Sequence, residues 1–473
     1  MKRNWAVGVL FFAAVLAAGC GDSPPPRPDI ILIVADTLRP DHAGCYGYDR
    51  PITPALDSLA ADSVVFENAY CDMPLTPSSH ASIFTGVPTD VHGVYHRPQE
   101  EGGGFYAISP SLATLPEELR RAGYCTGAAV SSSWLGPAFG FGKGFDVYEV
   151  HKRRLEYGDL INQRVSALFR QLKEQGDCEH FFFLLHYYDP HSDTGLMDNV
   201  YPYYAPPAYV ARFAPNAELA VSLTSTARRR GSRYLAWLEK HQELMPPGML
   251  EAIVELYDAG IASYDDSLGR LLDGLRLRGA YDDALIIFVA DHGEEFLEHG
   301  EFIHNQVYEE NIRVPLLIKF PGNLRAGERV AAPVELLDIL PTLLDYLELP
   351  TPRHLRGRSL IPLVEGEKPE PRLILARQKG PVEARVYSLA EGRWKLVYDL
   401  NRDTAELYDL VADPKEKNNL ASSRPAEVNR LRRLLLGRIE ENLRLKRTLS
   451  VDAGSVEFDR ARLDELRALG YLQ

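Results

Sequence analysis

The sequence has little of three things, and each shortage excludes a class of protein. Only five of the 473 residues are cysteine, and their spacings form neither a CxxC nor a zinc-finger pattern. Basic residues are outnumbered, 52 Lys and Arg against 66 Asp and Glu, and the net charge of −14 argues against nucleic acid as a partner. No apolar run is long enough for a comfortable membrane span. The remaining composition, 45% hydrophobic and 25% charged, is typical of a folded protein.

The first 28 residues are typical of an export signal followed by a tether. A short basic start precedes an apolar stretch over residues 6–18, which has the length of a signal-peptide core. Small residues then lead into Cys20, in a pattern that resembles the lipidation site of bacterial lipoproteins. We therefore expect a signal peptide over residues 1–20, a lipid on Cys20 and a proline-rich tether over residues 21–28. This predicts an exported lipoprotein anchored to a membrane, in the bacterial periplasm or at the cell surface. An ordinary cleaved signal is the alternative.

The other four cysteines leave two interpretations open. Cys45, Cys71, Cys125 and Cys178 can form disulfides in an oxidising compartment, but the sequence does not indicate which of them would pair. It is an equally good interpretation that all four cysteines are reduced and buried, and that they pack as small apolar side chains.

Three continuous apolar runs predict the centre of the fold. Residues 30–35, 181–185 and 285–290 are rich in β-branched or aromatic residues and are typical of fully buried parallel strands. Amphipathic helical patterns lie between them, and the longest covers residues 250–277. Strands that alternate with helices predict an α/β fold, with a mostly parallel central sheet sandwiched by helices.

Acidic or histidine residues follow each of these three strands. The first strand is followed by Asp36, the second by His186 and then His191, and the third by Asp291 and His292. In open α/β sheets, ligands bind at the carboxyl ends of the strands. Aspartate and histidine bind divalent metals or anions, so three such strand ends together predict a site at this edge of the sheet.

The remainder of the chain divides into an insertion and a C-terminal subdomain. Residues 192–247 lack a clear periodicity and are too long for a plain connection, so we expect a loop insertion over the site. Residues 383–411 alternate in the manner of short antiparallel strands, and residues 424–445 form an amphipathic helical pattern. We therefore expect a main domain over residues 29–370 and a subdomain over residues 371–473, with a small antiparallel sheet and a helix.

Several motifs occur in the order in which one enzyme family carries them. From residue 29 onward the chain resembles the sulfatase family, a branch of the alkaline phosphatase superfamily. The matching segments are residues 33–39, 45–48, 76–86, 291–294, 298–300, 308–315, 337–344, 406–410 and 413–414. The resemblance implies an alkaline-phosphatase-like fold in the main domain, one divalent metal ion, and hydrolysis of sulfate or phosphate esters.

The segment that carries the nucleophile departs from the sulfatase pattern. Sulfatases have a Cys or Ser that is converted to formylglycine, followed four residues later by an Arg. This chain has Thr76 and His80 at those positions, and Cys71 is followed by Met73 where the pattern requires a proline. Threonine here resembles the phosphate-specific relatives, namely phosphodiesterases, phosphoethanolamine transferases and lipoteichoic acid synthases. We therefore favour hydrolysis of phosphoesters, of the diester or phosphonate type, through a covalent intermediate on Thr76.

The resemblance also implies a set of metal ligands. Asp36, Asp291 and His292 match the family's ligands, and Thr76 completes a four-ligand site. Mixed carboxylate, imidazole and hydroxyl ligation favours Zn²⁺ or Mn²⁺. Ca²⁺, which sulfatases use, is the alternative, since it prefers oxygen ligands. Thr76 is expected at a helix N-terminus, whose amides favour an anionic group. Ser78 and Ser79 are alternative nucleophiles by chemistry alone.

Three histidines are candidate catalytic residues. His304 and His191 match family positions that contact the transferred anion, where a histidine can stabilise negative charge or protonate the leaving oxygen. His80 is a further candidate, and each of the three has a structural role as its alternative. Structural roles are favoured for His186, His299 and Asp41.

Other functions remain open at this point. A sulfatase that works without formylglycine, a phosphoryl-group transferase and an inactive glycan-binding protein are the alternatives to the phosphoester hydrolase. The expected partner is an anionic ester of a small molecule, a lipid or a glycan, together with the membrane that holds the lipid anchor.

Overall fold

The computed structural model describes most of the chain after the expected signal peptide. The described residues are 27–95, 106–151, 157–176, 178–192, 201–379 and 385–452. The signal peptide, Cys20 and all but the last two residues of the tether lie outside them. No helix of this described part has the length and apolarity that a bilayer crossing requires.

Strands and helices alternate along the main domain. In chain order the strands are β1 (Ile30–Ala35), β2 (Val64–Tyr70), β3 (Tyr124–Val130), β4 (Val147–Val150), β5 (His180–Tyr187), β6 (Leu285–Ala290), β7 (Glu295–Phe296), β8 (Phe302–Ile303), β9 (Arg313–Lys319), β10 (Arg329–Val330), β11 (Val334–Glu335), β12 (Leu373–Arg377), β13 (Val386–Glu391), β14 (Trp394–Asp399) and β15 (Thr404–Asp409). The helices are α1 (Pro54–Ala61), α2 (Thr76–Thr85), α3 (Thr89–His92), α4 (Leu115–Arg121), α5 (Tyr157–Gln175), α6 (Pro207–Phe213), α7 (Ala217–Ala220), α8 (Thr224–Ala227), α9 (Ser232–Glu239), α10 (Met249–Leu277), α11 (Glu309–Ile312), α12 (Ile339–Tyr346), α13 (Ile361–Val364) and α14 (Pro425–Thr448).

The central sheet confirms the predicted α/β fold. Its strand order is β10-β2-β9-β6-β1-β5-β3-β4, with β11 also paired to β2. β1 lies between β5 and β6 and is parallel to both. Only β9 runs antiparallel to its neighbours in this described sheet. All three predicted strands are buried on both faces, which explains their continuous apolar sequences.

Helix α2 is unusual because all ten of its residues are buried. It carries five hydroxyl side chains and a histidine into the interior, although buried polar groups need partners. The helix ends at Gly86, which has a φ of +62° and closes the last turn as a left-handed cap. The segment that resembles the nucleophile motif is therefore a rigid element of the core.

The C-terminal part forms the predicted antiparallel sheet and helix. Strands β12 to β15 pair in sequence order, and α14 packs against them. Strand β12 was not predicted, because its sequence is a short apolar run beside a proline-rich stretch. The buried side chains that join sheet and helix include Leu389, Leu396, Leu407, Leu431 and Leu435.

One disulfide resolves the open question about the cysteines. Cys125 on β3 is bonded to Cys178, just before β5. Cys45 and Cys71 are free among the described cysteines. The bond therefore ties two adjacent parallel strands at the end of the sheet opposite the site.

The expected loop insertion contains regular structure. Four short helices, α6 to α9, lie within the described residues 201–247. Each has at most eight residues, which is too short for a helical period to stand out in the sequence.

Candidate active site and metal centre

Two of the predicted metal ligands lie side by side at the carboxyl ends of β1 and β6. Ala35 pairs with Ala290, so the residues that follow them, Asp36 and Asp291, are neighbours. Both aspartates are completely buried. Three of their four carboxylate oxygens, both of Asp36 and Oδ2 of Asp291, have no hydrogen-bond partner within the described part of the chain. Buried carboxylates are unstable without partners, so the pair indicates a place for a cation.

Helix α10 holds the turn after β1 in a left-handed conformation. Thr37 has a φ of +59°, which a β-branched residue rarely adopts. The Tyr257 hydroxyl donates to the Thr37 carbonyl at 2.7 Å and accepts from the Arg39 amide at 3.0 Å. The turn aims the Thr37 amide at Oδ1 of Asp291, 3.3 Å away. Such strain is concentrated at functional sites, and here it orients a ligand carboxylate.

Thr76 is the first residue of α2, as predicted. Its Oγ1 lies 3.4 Å from Nε2 of His292. The free amides at the start of the helix are available to an anion. The neighbouring hydroxyls are engaged elsewhere, since Ser78 Oγ donates to the Val94 carbonyl at 2.5 Å and Ser79 Oγ to the Asp291 carbonyl at 2.7 Å.

The backbone after β6 fixes the ring of His292. Its Nδ1 donates to the Gly293 carbonyl at 3.1 Å, which leaves the Nε2 lone pair for the centre. Nε2 lies 3.7 Å from Asp36 Oδ1 and 3.6 Å from Asp291 Oδ2. Position 293 requires glycine, because a Cβ there would lie 1.9 Å from the carbonyl oxygen of Glu310.

The electrostatics of this cluster fit a divalent cation. Burial raises the pKa of Asp36 well above its usual range, and burial together with the charge of Asp36 does the same to Asp291. Burial also lowers the pKa of His292 to about 3, so its imidazole is neutral. One ligand atom from each of these three residues lies within 4.8 Å of the others. Two carboxylates, a neutral imidazole and the Thr76 hydroxyl form a suitable donor set for a transition metal.

His191 and His304 also lie at this centre. Their ring centroids are 5.1 Å apart, and the His304 ring lies 4.3 Å from that of His292. His304 Nδ1 is 3.1 Å from Glu294 Oε2, and the Tyr203 hydroxyl donates to the other Glu294 oxygen at 2.8 Å. Burial raises the pKa of Glu294 to about 8. Tyr203 belongs to the 192–247 insertion, which therefore reaches the residues that position His304.

His80 and His186 also approach the two aspartates, His80 at Asp291 and His186 at Asp36. His80 Nδ1 is 2.8 Å from the Thr76 carbonyl oxygen. His186 Nε2 is 3.3 Å from Asp36 Oδ2, and its ring lies 5.1 Å from that of His80. A structural role was favoured for His186, but the fold places it in the candidate site. Its position after a run of phenylalanines was the available signal.

Structural roles were favoured for His299 and Asp41, and both side chains have close polar partners. His299 Nδ1 lies 2.5 Å from Glu310 Oε1 and its Nε2 lies 3.0 Å from the Glu416 carbonyl, so both ring nitrogens are bonded. Asp41 pairs with Arg39 at 2.7 Å. Neither residue lies in the cluster around the two central aspartates.

Sequence analysis did not predict Lys379, a residue of the C-terminal part whose amide donates to the Asn305 carbonyl at 3.1 Å, next to His304. Burial first, and then the positive charge of Lys379, lowers the pKa of His304 well below its usual value. The same charge acts to lower the pKa of Asp36 against the dominant effect of burial. Lys379 follows β12 and lies outside every motif, so only the packing of the two parts reveals it.

The comparison with known families agrees with these motifs. The family model described as Sulfatase matches residues 28–349, more than half of the chain. The chain belongs to the sulfatase family. The model of the N-sulphoglucosamine sulphohydrolase C-terminal region matches residues 297–443, across the boundary expected between the main domain and the subdomain.

The proteins to which this chain is similar match most of its length. The N-acetylglucosamine-6-O-sulfatase of Bacteroides thetaiotaomicron is 25% identical over 524 residues, covering 93% of this chain and 91% of the relative. The phosphonate monoester hydrolase of Agrobacterium radiobacter has a similar fold, with a TM-score of 0.66, 22% identity and coverage of 89% and 96%. A second solved structure, of a protein in complex with its substrate D-glucosamine-2-N,6-O-disulfate, matches this chain with a TM-score of 0.65 and 22% identity. The match covers 89% of this chain and 98% of that protein's chain.

Membership of the sulfatase family makes the chain a hydrolase of ester bonds. Enzymes of this family bind a divalent metal ion, and the cluster of Asp36, Asp291 and His292 can hold one. The unsatisfied carboxylate oxygens noted above are those that such an ion would neutralise.

Proposed function

We propose that this sulfatase-family protein is a metal-dependent phosphoester hydrolase that works through a covalent intermediate on Thr76. The observation that carries the proposal is a threonine hydroxyl at the nucleophile position, 3.4 Å from the Nε2 of a ligand histidine. Threonine cannot supply formylglycine, because its Cβ bears a methyl group and oxidation would give a ketone. The nucleophile is therefore the hydroxyl itself.

The ligands in this proposal are Asp36, Asp291, His292 and Thr76. Zn²⁺ or Mn²⁺ is favoured over Ca²⁺, because a neutral imidazole is a better ligand for the first two. When bound, the cation supplies Lewis-acid chemistry, which lowers the pKa of the threonine hydroxyl and polarises the ester.

The reaction proceeds in two displacements on phosphorus. The Thr76 hydroxyl loses its proton, its oxygen bonds to phosphorus, and the bond from phosphorus to the leaving oxygen breaks. The leaving oxygen takes up a proton and departs as the alcohol. Water then attacks phosphorus in this intermediate, which breaks the bond to the Thr76 oxygen and restores the hydroxyl. The net reaction is phosphodiester plus water to alcohol plus phosphate monoester, or phosphonate monoester plus water to alcohol plus phosphonate.

The surrounding residues have two roles in this scheme. The N-terminal amides of α2 and the ammonium group of Lys379 bind the negative oxygens of the ester. His191 and His304 face the same space, where either can protonate the leaving oxygen or hydrogen-bond to the anion. Glu294 fixes the orientation of the His304 ring. His80, the third candidate of the sequence analysis, contacts the Thr76 backbone.

A sulfate ester is the second candidate substrate, because the full-length relative named above is a sulfatase. The same residues would then transfer sulfate to Thr76 without formylglycine. Transfer of the phosphoryl group to another alcohol, and binding of a glycan ester without turnover, are further outcomes that an assay must distinguish.

We further propose that the enzyme acts outside the cytoplasm, on an anionic small-molecule, lipid or glycan ester. The support is the sequence pattern around Cys20, whose lipid would hold the catalytic domain at the membrane.

Turnover of four model esters tests the proposed function. The purified full-length chain is stripped of metal, reloaded with Zn²⁺, Mn²⁺ or Ca²⁺ singly, and given nitrophenyl phosphate, bis-nitrophenyl phosphate, a phenyl phosphonate monoester and nitrophenyl sulfate. Thr76→Ala is assayed beside Ser78→Ala, a matched control on the same helix whose hydroxyl is bonded to a carbonyl.

We expect phosphoester or phosphonate turnover that Zn²⁺ or Mn²⁺ restores, a loss of at least about 10³-fold in Thr76→Ala, and little change in Ser78→Ala. Turnover of the sulfate alone would favour the second candidate. Undiminished activity in Thr76→Ala would contradict the mechanism. Binding without turnover of any ester would favour a binding protein.

A further inference from the structure

His80, His186 and Asp291 form a second cluster of potential ligands beside the first. One ligand atom from each of the three lies within 4.8 Å of the others. All three side chains are fully buried. The sulfatase resemblance assigns no metal to this cluster, since the family has an arginine where this chain has His80.

The lone pairs of the two histidines are available in this cluster. His80 Nδ1 lies 2.8 Å from the Thr76 carbonyl oxygen, which only accepts, so Nδ1 carries the proton and Nε2 carries the lone pair. That Nε2 has no hydrogen-bond partner among the described residues. In the same part of the chain, both nitrogens of His186 also lack one.

Unsatisfied nitrogens of this kind are rare in protein interiors, where nearly all buried polar side-chain atoms are bonded. His186 Nε2 lies 3.3 Å from Asp36 Oδ2, yet the pair does not have hydrogen-bond geometry. This is the arrangement expected when the nitrogen and the oxygen direct their lone pairs at cations instead of sharing a proton.

We infer that the chain binds a second divalent cation between His80, His186 and Asp291. Two imidazoles and one carboxylate are the ligands of open, catalytic zinc sites and also suit Mn²⁺. The inference rests on the proposed function, because the first cation would occupy the adjacent site.

Asp291 is the residue that the two sites share. Its Oδ1 already accepts from the amides of Thr37 and His292, at 3.3 and 3.0 Å. Its Oδ2 has no hydrogen-bond partner within the described residues and lies 3.6 Å from His292 Nε2. The protonated Nδ1 of His80 is 3.7 Å from the same oxygen, and the ligand nitrogen of that ring in this proposal is Nε2. One carboxylate oxygen thus faces both sets of histidines. In two-metal hydrolases the ions are about 3.5–4 Å apart, a spacing that a shared carboxylate allows.

A one-metal arrangement is the competing account. In that case His186 would donate a proton to Asp36, and His80 would fill the space of the family's arginine. The two accounts differ in how much metal the protein retains, and this quantity can be measured without a substrate.

Metal content tests the inference directly. The full-length chain is loaded with Zn²⁺, dialysed and analysed for zinc per chain, as wild type, His80→Asn, His186→Asn and Asp36→Asn. The control is His92→Asn, which changes another buried histidine that is bonded to Ser82 and to the Val94 amide. Circular dichroism and the thermal midpoint identify any variant that fails to fold.

We expect about two zinc ions per wild-type chain and per His92→Asn chain, and about one in each of the His80 and His186 variants. One ion per wild-type chain, lost only in Asp36→Asn, would refute the second site and leave the proposed function intact. One ion per wild-type chain that is lost in Asp36→Asn, His80→Asn and His186→Asn alike would also refute the second site. A single ion would then be bound by all of these side chains. No retained metal in wild type would overturn the proposed function too.

A spectroscopic measurement on wild type alone keeps the test independent of the variants. Two Mn²⁺ ions that share a carboxylate couple magnetically, so the electron paramagnetic resonance spectrum should change from a simple six-line pattern to a coupled spectrum as the second equivalent is added. If two bound equivalents of Mn²⁺ gave only uncoupled signals, the result would contradict a pair of ions that share the Asp291 carboxylate.

Discussion

At the residue scale, Gly293 shows how closely two backbone segments approach at the metal centre. Its amide donates to the Asn311 carbonyl at 2.8 Å, and a Cβ would lie 1.9 Å from the Glu310 carbonyl oxygen. We predict that Gly293→Ala forces these segments apart, lowers the free energy of unfolding by about 3 kcal/mol and weakens metal binding through His292. Urea unfolding and a zinc titration measure the two effects.

The control for this prediction is a glycine with free space around it. A Cβ at Gly437 would meet no atom within 4 Å, and this residue lies inside α14. Gly437→Ala should leave metal affinity unchanged and stabilise the helix by up to about 1 kcal/mol. Equal effects of the two substitutions would contradict the argument from close approach.

Motifs predicted the residues that the fold brings together at the candidate metal centre and missed some of the residues around them. Asp36, Asp291 and His292 follow strands that the sequence shows as apolar runs, so both their identity and their proximity were predictable. His186 was given a structural role although it ends one of the three apolar runs that predicted the site. Its contact with His80 joins β5 to α2, and no local sequence signal encodes that contact.

At the scale of elements, one buried lysine joins the C-terminal sheet to the main domain. Lys395 on β14 lies 2.9 Å from Glu309 on α11 and 2.9 Å from Glu416. Burial opposes the charge on Lys395, but the two carboxylates outweigh it and raise the lysine pKa. We predict that Lys395→Met costs about 3–5 kcal/mol of unfolding free energy, because it leaves the buried Glu416 and the partly buried Glu309 without a cation. Chemical denaturation measures this loss.

An exposed ion pair of the same sheet is the comparison. Arg402 lies 3.7 Å from Asp399, with 82% of its side chain exposed. Arg402→Met should change stability little, because exposed pairs are screened by solvent. A small effect of Lys395→Met, comparable to that of Arg402→Met, would show that the buried cluster does not hold the two parts together.

Helices and strands with a strong hydrophobic pattern were predictable from the sequence. Short elements, and strands whose apolar residues are interrupted by polar or small ones, were not. The runs of β1, β5 and β6 and the long pattern of α10 were recognised with small errors at their ends. β2 was missed because Glu67 and Asn68 interrupt its apolar run, and β3 because glycine and alanine carry little strand preference. These strands are fixed by their neighbours in the sheet, which local propensity does not describe.

At the scale of the whole molecule, the disulfide constrains a large part of the unfolded chain. Cys125 and Cys178 are 53 residues apart, and a closed loop of that length corresponds to about 4 kcal/mol of stabilisation in the chain-entropy model. We predict that a reductant lowers the thermal midpoint of the wild-type protein. The double variant Cys125→Ser, Cys178→Ser should have the lower midpoint already and should not respond. A wild type insensitive to complete reduction would contradict this prediction.

The order of strands in the sheet and the entry of Lys379 into the site belong to this scale. The sequence predicts a parallel sheet, but it does not determine that β9 enters antiparallel between β2 and β6. Lys379 lies beyond the last motif of the main domain, and its amide reaches the Asn305 carbonyl beside His304, at 3.1 Å, only when the C-terminal sheet packs against that domain. Such contacts depend on the tertiary arrangement.

The central claim is that Thr76 carries the transferred group. The most direct test mixes the metal-loaded enzyme with the best-hydrolysed ester, quenches the reaction during turnover and searches the peptide that contains Thr76 for a phosphoryl adduct by high-resolution mass spectrometry. We predict an adduct on Thr76 that forms and decays with turnover and is absent from Thr76→Ala. Steady turnover with an unmodified Thr76 peptide, and equal turnover by Thr76→Ala, would contradict it.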